Sequence, residues 1–415
     1  MAPRVCFYGD DFTGSADALI NYHRFGLRTA LLLSPGAAPE LARSLDVLGV
    51  AGVSRSLPVE QMEAEIRPVF EAFRAHRPAV VQYKVCSTFD SSPRIGSIGR
   101  ACEIATEVFG PRPIPVLPAQ PELGRWTAFG NHFARAGDGK VHRLDRHPGL
   151  RDHPSTPMRE AQLSVHLAAQ TSLPVAELHL PALDRYPELA RAFRGPIVLD
   201  CVEQSELMRI GRLVWPPEED RPLFAVGSGG LSYALGGVLG EHLGTRAELE
   251  PVDALLVVSG SCADQTAIQI GEAERRGWLC LNMHENGVAA AAAAARDALL
   301  GGRGAVVFSA LGRPDRELTA RSTGEALAEV VAAVVRQTPV RRVIACGGDT
   351  SSWLVRSLGV DALLPLGAVD LAPVVRTVAA DSVLDGLEIT LKGGQIGGAD
   401  LFERLRAGAR ADQTV

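Results

Sequence analysis

The sequence predicts an α/β protein of two domains, each with a mostly parallel sheet flanked by helices. Three observations predict it. Short apolar runs alternate with longer amphipathic stretches along the whole chain, as strands joined by crossover helices do. The chain has 415 residues and 46% hydrophobic content, more than one core usually organises. The alternation also restarts cleanly after 244–252 (Gly-Thr-Arg-Ala-Glu-Leu-Glu-Pro-Val), a polar linker. The domains are therefore placed at 1–245 and 252–412. A second break, Trp215-Pro216-Pro217-Glu218-Glu219-Asp220-Arg221-Pro222, reads as a polar, proline-rich loop.

In the first half, apolar runs at 5–8, 29–33, 79–83, 114–117, 197–199 and 223–226 read as strands buried on both faces. Those at 254–258, 305–308, 343–345 and 387–391 do the same in the second half. Helices are predicted at 16–25, 59–75, 96–109, 158–170 and 231–243, then at 264–276, 288–300, 323–336 and 351–358. The seven alanines at 289–295 are strong helix formers. Between 118 and 157 the pattern dissolves into Gly, Pro, Arg and His, which predicts a long functional or mobile loop. No internal repeat is visible.

Composition excludes several classes. With 22% charged residues and a net charge of −6, enough apolar surface remains to offset chain entropy. No apolar stretch approaches the roughly 18–20 residues that span a bilayer. Two aspartates, Asp10 and Asp11, arrive before a signal-peptide core could form. The seven cysteines are scattered without a CxxC pair, which predicts reduced, mostly buried thiols. A cytoplasmic chain without membrane association is expected. The acidic balance argues against a nucleic-acid partner.

Of 42 basic residues only Lys84, Lys140 and Lys392 are lysines. Lys140 reads as a loop residue; Lys84 and Lys392 fall in unusual local sequences, where a compact point charge is required. The first strand runs into Gly9-Asp10-Asp11-Phe12-Thr13-Gly14-Ser15-Ala16-Asp17 and a helix. Ligands bind at such carboxyl ends of strands. Asp10 and Asp11 are expected on different sides of the turn. One Asp, Ser or Thr would be a helix cap; three aspartates with Thr13 and Ser15 exceed that need and suggest hydroxyl binding or general base work. A haloacid-dehalogenase-type phosphatase would need Asp-x-Asp-x-Thr, and the spacing Asp10-Asp11-Phe12-Thr13 breaks it.

A strand end also meets Lys84-Val85-Cys86-Ser87-Thr88-Phe89-Asp90-Ser91, a plausible carboxylate or phosphate pocket. Gly227-Ser228-Gly229-Gly230 is a weaker candidate, an anion-binding turn that fails the dinucleotide pattern. No lysine is followed by Ser or Thr, so there is no P-loop. The second half offers another cradle in three Gly/Ser turns at strand ends: Ser259-Gly260-Ser261-Cys262, Cys346-Gly347-Gly348-Asp349-Thr350 and Lys392-Gly393-Gly394-Gln395-Ile396-Gly397. Their amides could hold a polyphosphate, with Lys392 a movable charge near the terminal phosphates. His142, His147 and His153 have no metal-ligand spacing, and no metal site is expected. No GxSxG elbow supports a hydrolase triad.

In series and in order, the Gly9–Asp17, Tyr83–Ser91, Ser259–Cys262, Gly347–Ser351 and Leu391–Gly397 segments resemble the four-carbon acid sugar kinases, across nearly the whole chain. The resemblance implies a sugar-binding N-terminal domain, a nucleotide-binding C-terminal domain and an active site in the interdomain cleft, closing to exclude water. It implies ATP as phosphoryl donor, Mg²⁺ as Mg-ATP, and a small sugar acid as acceptor. Asp10, Asp11, Thr13, Asp17, Lys84, Ser87, Thr88, Arg94 and Gly229 would line the acid-sugar pocket. Ser259, Ser261, Gly347, Gly348, Asp349, Thr350, Gly394 and Gly397 would contact ATP. Lys84, helped by Arg94 or Arg125, would hold the substrate carboxylate. Asp11, with Asp10 as second choice, would deprotonate the terminal hydroxyl, and Lys392 would offset charge on the phosphoryl. Tyr8-Gly9 stands where many members carry alanine, and Gly393 where serine is frequent. The Tyr-Gly form resembles the subgroup acting on 3-oxo-isoapionate; 3-oxo-tetronate and threonate or erythronate are alternatives. A sugar-phosphate phosphatase and a non-catalytic sugar-acid sensor are the rival classes, and a homodimer is left open.

Overall fold

Continuous apolar runs become strands with every residue buried, as a parallel sheet between helices requires. The computed structural model describes residues 2–137, 139–152, 156–216, 221–243, 249–312, 319–381 and 383–408. It divides into two compact units, Met1–Ala30 with Ser34–Leu243, and Leu31–Leu33 with Gly244–Val415. Most of the expected linker (244–248), residues 217–220 of the proline-rich loop, His153 and the chain end beyond 408 lie outside the described residues, as does the side chain of Asp349.

In the first unit the elements run β1 (Val5–Gly9), α1 (Phe12–His23), β2 (Thr29–Leu32), α2 (Pro39–Ala42), β3 (Val47–Ala51), α3 (Val59–His76), β4 (Val80–Lys84), α4 (Ile98–Phe109) and β5 (Pro113–Leu117). They continue with β6 (Arg125–Ala128), β7 (Asn131–Arg135), β8 (Val141–Arg143), α5 (Leu163–Ala168), β9 (Ala176–Leu178), α6 (Tyr186–Ala192), β10 (Gly195–Leu199), α7 (Gln204–Val214), β11 (Leu223–Gly227) and α8 (Gly229–Leu239). The main sheet has the order β2-β3-β1-β4-β11-β5-β10-β9, with β1 parallel to both β3 and β4.

The second unit contains β12 (Leu255–Ser259), α9 (Asp264–Arg275), β13 (Leu279–Asn282), α10 (Met283–Asn286), α11 (Val288–Leu300), β14 (Ala305–Phe308), α12 (Ala320–Val335), β15 (Arg342–Cys346), α13 (Gly348–Leu358), β16 (Ala362–Val369), β17 (Ala372–Val378), β18 (Glu388–Lys392) and α14 (Leu401–Ala407). Its order is β13-β14-β12-β15-β18, all parallel, followed by antiparallel β17 and β16. Both units place their second strand outside the third, with the first strand between the third and fourth. This order reverses the direction of winding beside the first strand, a switch point where α/β sheets bind ligands. The sequence carries no repeat that reveals the shared order.

Three expectations are corrected. Residues 118–157 are not a structureless loop: β6, β7 and β8 form a separate antiparallel sheet. Its tight turn needs positive φ at both Phe129 (49°) and Gly130 (73°). The buried Asp200 carboxylate supports that turn by accepting from Phe129 N at 2.7 Å and Gly130 N at 2.9 Å. The helix expected at 158–170 shrinks to α5, because the residues before it follow β7 instead: His132 N donates to Ala161 O and Leu163 N to Gly130 O. Strands β3, β9, β13, β16 and β17 were not expected. The last two join through Asp370 and Leu371, both at positive φ, without the Asn-Gly signature of such turns.

Candidate functional site

The parallel register aligns the ends of three strands in the first unit, with Gly9 opposite Lys84 and Lys84 opposite Gly227. Beyond β1 the chain turns sharply: Asp10 N donates to Lys84 O at 3.0 Å. The Asp11 side chain caps α1 by accepting from Gly14 N at 2.7 Å. Both carboxylates meet one guanidinium. Arg55 Nη2 lies 2.6 Å from Asp10 Oδ1, Nε 3.2 Å from Asp10 Oδ2 and Nη1 2.6 Å from Asp11 Oδ2. Asp10 and Asp11 therefore do not point to different sides of the turn, as the sequence had suggested. Asp10 is only 2% exposed, and burial raises its pKa to about 6 against the opposing pull of Arg55.

Arg55 was missed by sequence reasoning. It sits in the short turn that follows β3, and the run Val47–Ala51 that leads to it was the available signal. Arg94, expected beside the substrate, is exposed. Arg125 has Nη1 on the carbonyls of Leu123 (3.0 Å) and Gly124 (2.9 Å). Burial lowers its pKa, opposed by Cys86 and Asp90.

Lys84 is buried, with Nζ donating to Val85 O at 2.9 Å and lying 3.4 Å from Asp17 Oδ2. Asp17 is oriented by Asn21 Nδ2 (2.9 Å) and Gln120 Nε2 (3.0 Å), both on Oδ1. A methyl group on Gly14 would stand 2.5 Å from Asp11 Oδ1, 3.1 Å from Lys84 Nζ and 3.5 Å from Arg55 Nη2. The bare face of Gly14 thus marks where these charges converge. At Gly229 the same methyl would stand 2.2 Å from Asp17 Oδ2. The Gly227–Gly230 turn consequently faces a carboxylate, which argues against reading it as an anion cradle. Thr13 Oγ1 is buried without a partner among the described residues. Thr88 Oγ1 is 2.8 Å from Cys86 Sγ, and the Ser87 carbonyl is 2.8 Å from His132 Nε2.

The second unit repeats the alignment. Ser259 pairs with Cys346 and Cys346 with Lys392, so the three glycine turns stand side by side at the carboxyl ends of adjacent strands. Gly347 (φ 109°) and Ala263 begin α13 and α9 with no side-chain cap, leaving early helical N–H groups for an anion. A methyl on Gly260 would stand 2.4 Å from Thr350 Cγ2, and one on Gly394 2.9 Å from Ser261 Oγ. Thr266 Oγ1 is 3.2 Å from Ser261 Oγ and 2.9 Å from Gly394 O. Gly397 O accepts from Gln265 Nε2 at 2.8 Å.

Lys392 is fully buried and is not a free, movable charge. Its ammonium donates to Thr266 Oγ1 (3.0 Å), Gly393 O (2.9 Å) and Gly394 O (3.2 Å). These three acceptors match its three N–H donors. Burial lowers its pKa, and no carboxylate among the described residues forms an ion pair with it.

Among the described residues no group of three His, Cys, Asp or Glu side chains is placed to hold a metal ion. His142 and His147 pack edge to face, 5.9 Å apart, and His147 Nδ1 accepts from Gly149 N at 3.1 Å. No described helix is long and apolar enough to cross a membrane.

Comparison with known proteins assigns both halves. Residues 5–235 match the family described as a sugar-binding N-terminal domain, and residues 256–402 match a nucleotide-binding C-terminal domain. A 3-oxo-isoapionate kinase from Paraburkholderia graminis is 37% identical, over 98% of this chain and 95% of its own. A 3-oxo-tetronate kinase from Methylobacterium radiotolerans is 34% identical, over 95% of this chain and 96% of its own. The crystal structure of Haemophilus influenzae protein HI1011 shares the fold, with a TM-score of 0.72 at 22% identity, covering 96% of this chain and 98% of that one. Two domain matches and near-full-length identity above 30% make the chain a member of the four-carbon acid sugar kinase family.

Proposed function

We propose that the protein transfers the terminal phosphoryl group of ATP to a terminal hydroxyl of 3-oxo-isoapionate, giving its 4-phosphate. The observation that carries the substrate is the near-full-length likeness to the Paraburkholderia graminis kinase; 3-oxo-tetronate and threonate or erythronate are the alternatives. The geometry that supports the chemistry is the pair Asp10 and Asp11, locked by Arg55 beside Lys84. Lys84, with one N–H on Val85 O and Asp17 Oδ2 3.4 Å away, keeps an N–H to offer to the substrate carboxylate. Thr13 supplies a hydroxyl whose hydrogen-bonding capacity is unused among the described residues. Asp11 has one oxygen fixed by Gly14 N and the other by Arg55. It is the first choice to receive the hydroxyl proton, because only one of its oxygens faces the Arg55 cation whereas both oxygens of Asp10 do; Asp10 is the second.

The uncapped starts of α9 and α13 suit phosphate oxygens, and Ser259, Ser261, Gly347, Gly348, Thr350, Gly394 and Gly397 are the residues that would surround them. Mg²⁺, arriving on the phosphates, would offset charge on the transferring group. Lys392 acts by holding the Gly393–Gly394 turn in place.

The test is ADP release from Mg-ATP with 3-oxo-isoapionate, 3-oxo-tetronate, D-threonate and D-erythronate. The first should give the highest kcat/KM; preference for another acid would replace it, and phosphate release from sugar phosphates without ATP would point to the phosphatase. The same assay carries a pH prediction. With Asp10 near 6, kcat/KM should fall as pH drops through about 6, because a protonated Asp10 loosens its hold on Arg55. Asp10→Asn should lose that acidic limb, whereas Asp11→Asn should lose turnover by at least about 100-fold. An unchanged limb in Asp10→Asn would assign it to another group.

A further inference from the structure

The loop after β4 is gripped from two sides by histidines, His132 fully buried and His166 half-buried. His132, on β7 and fully buried, places Nε2 2.8 Å from Ser87 O and Nδ1 2.8 Å from Thr127 Oγ1. A carbonyl only accepts, so Nε2 carries the proton and Nδ1 accepts from the threonine. His166, on α5, places Nε2 3.0 Å from Ser91 Oγ. The Ser91 hydroxyl donates to Phe89 O at 3.0 Å and accepts from Gln170 Nε2 at 3.0 Å. With its single hydrogen assigned to Phe89 O, Ser91 Oγ accepts from His166 Nε2. Burial lowers both imidazole pKa values to about 4, so both rings are neutral at pH 7 and each donates from Nε2.

Between the two grips the backbone is strained. Phe89 is fully buried with φ 59°, a left-handed conformation that a bulky residue keeps only when its surroundings impose it. Its ring packs 6.0 Å from that of His166. Thr127 and His132 both belong to the small β6–β7–β8 sheet, so a function of that sheet is to back this loop.

We propose that His132 and His166 are positioning residues for the sugar acid: from two separate elements they fix residues 85–91 in the strained form that presents Lys84, Ser87 and Thr88. The proposal rests on the reading of the Lys84–Thr88 segment as part of the acid pocket. It goes beyond that reading by assigning substrate affinity to two histidines outside the pocket motif.

The test is calorimetric binding of D-threonate and, separately, of ADP to the full chain, with Lys84→Met as the reference. His132→Phe fills the ring's volume and removes both hydrogen bonds. It should weaken D-threonate binding at least about 10-fold and leave ADP binding within about twofold. His132→Gln, whose terminal amide can reach Ser87 O, should recover most of the loss. Thr127→Val, a milder change that only removes the donor to Nδ1, should weaken the acid about threefold and keeps the test open if the Phe variant does not fold. His166→Gln should behave like His132→Gln. Two results overturn the proposal: equal weakening of both ligands, or a lowered Tm with D-threonate affinity intact. If Lys84→Met also binds D-threonate normally, the pocket reading has failed. If Lys84→Met loses the acid while Thr127→Val and His132→Phe do not, only the positioning role has failed.

Discussion

Arg55→Met should be the most damaging single substitution in the sugar-binding half, lowering Tm on the order of 10 °C and abolishing turnover. The reason is electrostatic. Arg55 contacts both Asp10 and Asp11, which are 2% and 6% exposed. Removing one partner of a buried ion pair costs about 3–5 kcal/mol, because the other charge stays buried and uncompensated. Each kcal/mol corresponds to roughly 2–4 °C in a unit of this size. Protonation offers the carboxylates an escape, so the loss should be larger at pH 8 than at pH 5. The sign agrees with the folded protein. Asp10 has a raised pKa, so stability is lost as pH rises from the ordinary carboxylate range to about 6, the full cost stands above 6, and Arg55 offsets it. Arg55→Lys should recover little, since a point charge cannot meet two carboxylates as a planar fork does. Differential scanning calorimetry at both pH values decides it: an unchanged Tm at pH 8 would mean that the aspartates find other partners.

Lys392→Met should separate binding from stability in the other half. The substitution removes three donors and leaves Thr266 Oγ1, Gly393 O and Gly394 O without their lysine contact. It also removes a buried cation that no described carboxylate neutralises, so the desolvation relieved offsets part of the lost hydrogen bonding. Stability should therefore change by no more than about 2 kcal/mol. ADP affinity should fall by at least about 10-fold, because the Gly393–Gly394 turn loses its anchor and the anion loses a nearby positive charge. D-threonate binding should stay within twofold. If acid and nucleotide weaken together, Lys392 acts on the whole chain rather than on its own turn.

Much of the protein was legible before folding was considered. The α/β class followed from apolar periodicity, and helix α11 occupies the residues expected of it, 288–300. Scarcity singled out Lys84 and Lys392, and both lie at the ends of parallel strands, buried, with their ammonium groups engaged. The motif series was enough to suggest the family. These are local properties, written in composition, period and short spacing.

What the tertiary structure decided depends on residues far apart in the chain. Arg55 reaches Asp10 across 45 positions; the run Val47–Ala51 could place it after a strand, but nothing local shows which carboxylates it meets. Whether Asp11 is a cap or a base cannot be read from its type, because the same carboxylate caps α1 and pairs with Arg55. Lys392 looked like a mobile charge until strand register placed Thr266 and the Gly393 and Gly394 carbonyls around it. The β6–β7 and β16–β17 turns were invisible because bulky Phe129 and Leu371 share the positive φ of Gly130 and Asp370, so neither turn carries an Asn-Gly pair. The sequence alone determined which groups could do the chemistry. Register and burial decided which of them meet, because charge pairing and desolvation act through space and not along the chain.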